Sequence, residues 1–206
     1  AAAGCVTATP APAPLGGERG VNALAADEQH LWKKSRELQH DIEIAGLVFT
    51  DTELDRYLAR VLDRVLSDEL RRAGLEPSVR VISNVNIHGY SFANGVVYLH
   101  TALLSRMQDE TQLATVLSRE LAHVSLRTAL RAQRDARIRA DTLAWIGVGS
   151  TLVQNGAQLQ LLAQAASIST APGFQHSLEV LADHEGLAML AAAGYDVQGT
   201  PAFFER

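Results

Sequence analysis

Along this chain the apolar period changes once from helical to alternating and then back, which restricts the fold to helices around one small sheet. A second helix begins at Thr50, with Glu53 three residues on as its capping-box partner. Leu54, Tyr57, Leu58, Val61, Leu62, Val65 and Leu66 then recur at helical spacing, and Gly74 ends the run. Val79, Val81 and Val85 read instead as a strand. Val96-Val97-Tyr98-Leu99 reads as another, entered through an Asn94-Gly95 turn. Helix returns over Thr101–Met107, and a long helix opens near Asp109, spaced from Gln112 as a second capping box. Leu113, Val116, Leu117, Leu121 and Val124 form its apolar stripe. Outside this centre, a mostly polar helical pattern runs from Ala23 to Ile44, with Leu24, Leu31, Trp32 and Leu38 as its apolar contacts. Helices rich in Ala, Leu and Gln reach about Ser167, Pro172-Gly173 breaks them, and a last helix spans His176 to Ala193 before Gly194. The expected class is α+β and mostly helical.

With 206 residues, 47% hydrophobic and 20% charged, the chain can bury a core and is not of disordered composition. Its formal net charge of -5 gives no electrostatic basis for nucleic-acid binding. Residues 1–21, rich in Pro and Gly, read as a flexible tether, and residues 22–206 as one domain. The weakly polar run Thr142–Val153 is too short to span a bilayer and reads as a buried or surface-dipping segment. Cys5 is the sole cysteine, so no internal disulfide is possible. Its setting, Ala2-Ala3-Gly4-Cys5, resembles the end of a bacterial lipoprotein signal. That implies a lipid-anchored protein on the periplasmic side of the bacterial envelope, held by an anchor rather than a span. At the other end, Thr200-Pro201 announces a helix that stops little more than a turn later, so a C-terminal truncation is expected. Arg127, Arg131, Arg134 and Arg137 recur at helical spacing. Interleaved with Asp135 and Asp141, they read as a solvated face rather than a polyanion patch.

Chemistry concentrates in two segments. In Arg119-Glu120-Leu121-Ala122-His123, Glu120 and His123 occupy the second and last positions of a His-Glu-x-x-His helix. That motif sets two histidines one turn apart to share a zinc, with the Glu polarising a water. The first position holds Arg119, which is permanently cationic and has no lone pair to give. On the last helix, Glu179 and Asp183 lie four residues apart on one face, among Leu178, Val180, Leu181, Ala182, Leu187 and Met189. Carboxylates set in so apolar a helix point to a buried role.

Four segments together resemble the zinc metallopeptidase family of the CAAX prenyl protease, HtpX and BepA. They are Val85–Tyr98, Thr101–Leu104, Glu110–Val124 and Glu179–Asp196, the last containing Glu-x-x-Ala-Asp-x-x-Gly and Ala-Gly-Tyr-Asp. The resemblance implies a zincin-like domain with a small sheet beside the active-site helix. It also implies zinc held by two His and one Glu, and a Glu-activated water attacking a peptide carbonyl. Carried over, Glu120 is the general base, His123 and Glu179 are zinc ligands, and Asp183 supports them; Val96, Val97, Tyr98 and Leu99 form the edge strand that takes a peptide. Arg119 breaks this pattern, so zinc is expected to be weak or absent. The expected counter-charge is an ion pair of Arg119 with Glu179 or Glu120. His176 and His88 are the candidates for a substitute ligand, while His184 faces away from Glu179. Two functions follow: an impaired peptidase domain that binds a polypeptide or partner protein, or an active zinc metalloendopeptidase in envelope protein quality control.

Overall fold

In the computed structural model, residues 12–15, 26–73, 75, 77–135 and 175–197 are described. Their elements are α1 (Ala26–Ile44), β1 (Val48–Phe49), α2 (Thr52–Val65), α3 (Asp68–Arg72), β2 (Ser78–Ile82), β3 (Gly89–Ser91), β4 (Val96–His100), α4 (Thr101–Leu104), α5 (Glu110–Ser125) and α6 (Gln175–Ala192). The sheet runs in the order β1-β2-β4-β3, with β2 and β4 parallel and both outer pairs antiparallel. Strand alternation sorts the core into layers. Val79, Val81, Val97 and Leu99 join α2 and α5 in the main cluster. Ile82, Tyr90, Phe92 and Tyr98 meet Leu38 and Ile42 of α1 on the opposite face.

This topology corrects one expectation. Val96, Val97, Tyr98 and Leu99 lie in an interior strand, because β3 folds back through the Asn94-Gly95 turn and pairs with β4. Phe92 N–H donates to Val96 O at 2.8 Å and Gly95 N–H to Phe92 O at 2.9 Å, with Gly95 at φ +91°. Among the described residues the edge strands are β1 and β3, and β3 is the one beside β4. Tyr90 faces Tyr98, and bonds to β4 flank it from His100 N–H to His88 O and from Phe92 N–H to Val96 O. By antiparallel alternation the main-chain groups of Gly89 and Ser91 point away from β4. Gln39 and Asn94 exchange reciprocal amide bonds of 3.0 and 3.1 Å, fastening the hairpin turn to α1.

Local chemistry moves several boundaries. Asp51, not Thr50, caps α2: its carboxylate accepts from Glu53 and Leu54 N–H at 3.0 and 2.9 Å. Asp109 caps α5 through Gln112 N–H at 2.9 Å, as expected. Val85 is outside β2 and 90% exposed. There, Asn84 N–H turns to the Thr101 hydroxyl and the Asn84 side chain accepts from Asn86 N–H, so side chains replace the ladder. Past Leu104 the chain continues in tight turns, with Arg106 N–H donating to Leu103 O and Met107 N–H to Leu104 O.

The arginine stripe is not a solvated face where it is described. Arg127, at φ +53°, turns the chain out of α5 into a helical segment, residues 128–135, that lies against the start of α1. Arg127 Nε stands 3.2 Å from Glu28, whose side chain is 3% exposed, and Arg134 grips both Asp27 oxygens at 2.7 and 3.0 Å. Arg131 donates to Pro12 O at 3.0 Å. Within the expected tether, Leu15 is buried in the main core and its N–H donates to Ser125 O at 2.9 Å. Cys5, Arg137, Asp141, Thr142–Val153, the helices expected up to Ser167, Pro172-Gly173 and the segment from Thr200 to Arg206 lie outside the described residues.

Candidate functional site

Helix α5 is buried on nearly every side, including at Ser118, Glu120, Leu121 and Ala122. Arg119 and His123, one turn apart, lie on the side that α6 covers. Contact between the two helices is as close as backbone allows. A Cβ placed on Gly186 would stand 3.0 Å from both the Arg119 Cα and N and 3.3 Å from the Ser118 carbonyl carbon. A glycine inside a helix ordinarily costs about 1 kcal/mol against alanine. Here it lets α6 lie on α5 and brings Glu179 and Asp183 to Arg119.

The Arg119 guanidinium forks between those two carboxylates. Its Nε donates to Asp183 Oδ1 at 2.7 Å, and its Nη2 donates to Glu179 Oε2. Glu120 Oε1 is more distant, 3.9 Å from Nη1. Arg119 thus pairs with Glu179 and, at longer range, with Glu120 as expected, and Asp183 is a further partner. Burial works against the Arg119 charge, but Asp183, Glu120 and Glu179 hold its pKa above the ordinary value. His123 Nε2 stands 3.6 Å from the same Glu179 oxygen. Burial, with Arg119 beside it, pushes His123 down to about 4, so its ring is neutral near pH 7.

Glu120 points toward the sheet. Its side chain is 7% exposed, and the Ser91 hydroxyl sits 2.9 Å from its Oε2 and 3.1 Å from its backbone oxygen. Burial raises the Glu120 pKa against the pull of Arg119 and of that hydroxyl. Sequence reasoning did not single out Ser91, and Gly186 entered only as the glycine that closes the Glu-x-x-Ala-Asp-x-x-Gly segment, without a role. The signal for Gly186 was a glycine inside a strong helical pattern; Ser91 carried no signal, because only the pairing of β3 brings it onto α5. His88 does not reach this cleft. Its ring lies 6.2 Å from that of His100, which is 6.0 Å from Tyr90, in the layer facing α1, and α5 packs on the other face. His184 is exposed, and the His176 side chain lies outside the described residues.

A family model described as "Peptidase family M48" matches residues 52–204. The chain belongs to peptidase family M48. Among curated relatives, this M48 chain is similar to the Beta-barrel assembly-enhancing protease of Escherichia coli (strain K12), 33% identical over 133 residues, covering 61% of this chain and 27% of that protein. It is likewise similar to a Putative beta-barrel assembly-enhancing protease of Vibrio cholerae, 34% identical over 131 residues, with the same coverage. A more distant likeness is to the Mitochondrial metalloendopeptidase OMA1 of Arabidopsis thaliana, 23% identical over 136 residues, 65% of this chain and 26% of that protein. The chain spans about a quarter of the length of the curated relatives it matches.

Among the described residues the donor set of this M48 cleft does not complete a three-ligand zinc site: no three His, Cys, Asp or Glu side chains are grouped to hold a metal. His123 and Glu179 could supply two ligands; the position one turn before His123 is a guanidinium, which has no lone pair and already engages Glu179 and Asp183. In its present form the arrangement can hold a buried carboxylate and a neutral imidazole around a fixed cation, beside an open strand edge. No helix among the described residues is long and apolar enough to cross a membrane.

Proposed function

We propose that this chain is an M48 metallopeptidase domain in which the Arg119 ion pair stands in the metal's place, so that it binds a polypeptide or partner protein without cutting it. The observation that carries the reading is the fork from Arg119 to Glu179 and Asp183. A fixed cation satisfies the carboxylates electrostatically, removes one ligand of three and repels a dication. Zinc binding is accordingly weak or absent. The polypeptide adds to the β3 edge, where Gly89 and Ser91 offer main-chain groups beside Glu120. Because the similar proteins are named for enhancing β-barrel assembly, the proposed setting is envelope protein quality control on the periplasmic side. Cys5 serves as the lipid anchor; fatty-acid labelling that persists in Cys5→Ala would remove that part of the proposal.

Metal analysis after dialysis, with zinc calorimetry of the Arg119→His variant, tests the reading. A His at 119 projects one turn from His123 toward Glu179, which restores three ligands and leaves a fourth position for water. The expected result is little zinc in the natural protein and at least a roughly tenfold gain in affinity in the variant. About one zinc per natural chain overturns the reading. It favours instead an active zinc metalloendopeptidase, which the retained Glu120, His123 and Glu179 support.

A further inference from the structure

The face of the sheet opposite α5 carries a histidine pair. His88 and His100 lie directly across the β3–β4 hairpin, His100 N–H donating to His88 O at 3.0 Å. Their ring centres are 6.2 Å apart. His100 is 5% exposed, and its Nδ1 lies 3.2 Å from the Asn86 carbonyl oxygen. A carbonyl oxygen only accepts, so Nδ1 carries the proton and Nε2 carries the lone pair. Among the described residues, that Nε2 is buried without a hydrogen-bond partner, and so is the Tyr90 hydroxyl. The two rings are 6.0 Å apart. Two orphaned polar atoms in one corner of a well-packed sheet need an explanation.

We infer that His88 and His100 form a metal site, separate from the M48 cleft, that takes an imidazole-preferring divalent transition metal such as copper(II) or zinc. An imidazole nitrogen bonds zinc at about 2.0–2.1 Å, so rings sharing one ion have centres about 5 Å apart at a tetrahedral angle and about 6.4 Å apart when opposite each other. The 6.2 Å separation lies between these, and His88, exposed at the start of the hairpin, can turn closer. The bond from His100 Nδ1 to a backbone carbonyl is the outer-shell contact that orients metal-ligating histidines. Two imidazoles with no carboxylate favour copper(II), nickel(II) and zinc over magnesium or calcium.

The test is a copper(II) titration of the full chain, read by calorimetry and by electron paramagnetic resonance, in the natural protein and in His88→Ala and His123→Ala. His88 is exposed, so its removal leaves the core intact. The expected result is one site with nitrogen ligation, weakened roughly tenfold or more in His88→Ala and unchanged in His123→Ala. Equal affinity in the natural protein and His88→Ala overturns the inference, as does loss in His123→Ala alone. His100→Gln gives an independent reading: in a variant with unchanged circular dichroism, retained affinity also overturns it.

Discussion

Removing the cation from the cleft, in Arg119→Ala, should destabilise the domain by about 2–3 kcal/mol. The two bonds of the fork contribute unequally. Glu179 is 35% exposed and Arg119 29% exposed, so their charge-assisted bond is partly desolvated and contributes about 1.5 kcal/mol. Asp183 is 53% exposed, and solvent screening reduces its bond to the surface range of about 0.2–1 kcal/mol. Loss of the arginine stem packed against α6 adds a few tenths more, at about 25 cal/mol per Å² of apolar surface. Glu120 limits the loss, because a carboxyl whose pKa is already raised can take up a proton when Arg119 goes. Urea unfolding followed by circular dichroism measures the change. The midpoint should fall with the slope unchanged, since the exposed surface is the same. Combining the variant with Glu179→Ala should give a coupling energy of about 1 kcal/mol. A loss below about 0.5 kcal/mol, or strict additivity of the two substitutions, would refute the claim that the guanidinium holds α5 to α6.

Gly186→Val should separate α6 from α5, because the new side chain meets Arg119 and Ser118 backbone atoms that cannot rotate away; a cost of about 1–3 kcal/mol is expected in the same unfolding assay, and a neutral result would show that the helices are further apart than described. Acid stability should depend on Asp27, which the Arg134 hydrogen bond holds below the ordinary 3.8. A depressed folded pKa contributes stability that is complete above the unfolded value and lost as pH falls through the folded one. Asp27→Asn should therefore differ most from the natural protein above about pH 4 and converge with it in stronger acid; a constant difference across pH would assign the contact to packing instead.

Elements that a single segment determines were legible in the sequence. The apolar stripe of α5, the Asp109 cap and the Asn94-Gly95 turn each follow from residues within a few positions of one another. The pairing of Glu120 and His123 with Glu179 and Asp183 was legible through the resemblance to the peptidase family. What remained hidden needed contacts between distant segments. Strand periodicity reads the same in an interior strand as at an edge, so the Val96–Leu99 pattern alone did not tell which side β2 and β3 would take. The arginine spacing after α5 suited a solvated face equally well; only the left-handed turn at Arg127 brings it onto Asp27 and Glu28. Polar partners without periodicity, such as Ser91 for Glu120 and Gln39 for Asn94, had no sequence signature.

The docking of Leu15 fixes where a pull on the N-terminal segment would be felt. Its side chain sits in the main core and its N–H is bonded to Ser125 at the end of α5. Ahead of it, the Pro12 carbonyl accepts from Arg131 in the segment that follows α5. Tension on the chain before these two contacts enters the fold at the C-terminal end of α5 and just beyond it. The helix that carries Arg119, Glu120 and His123 thus bears load ahead of the sheet.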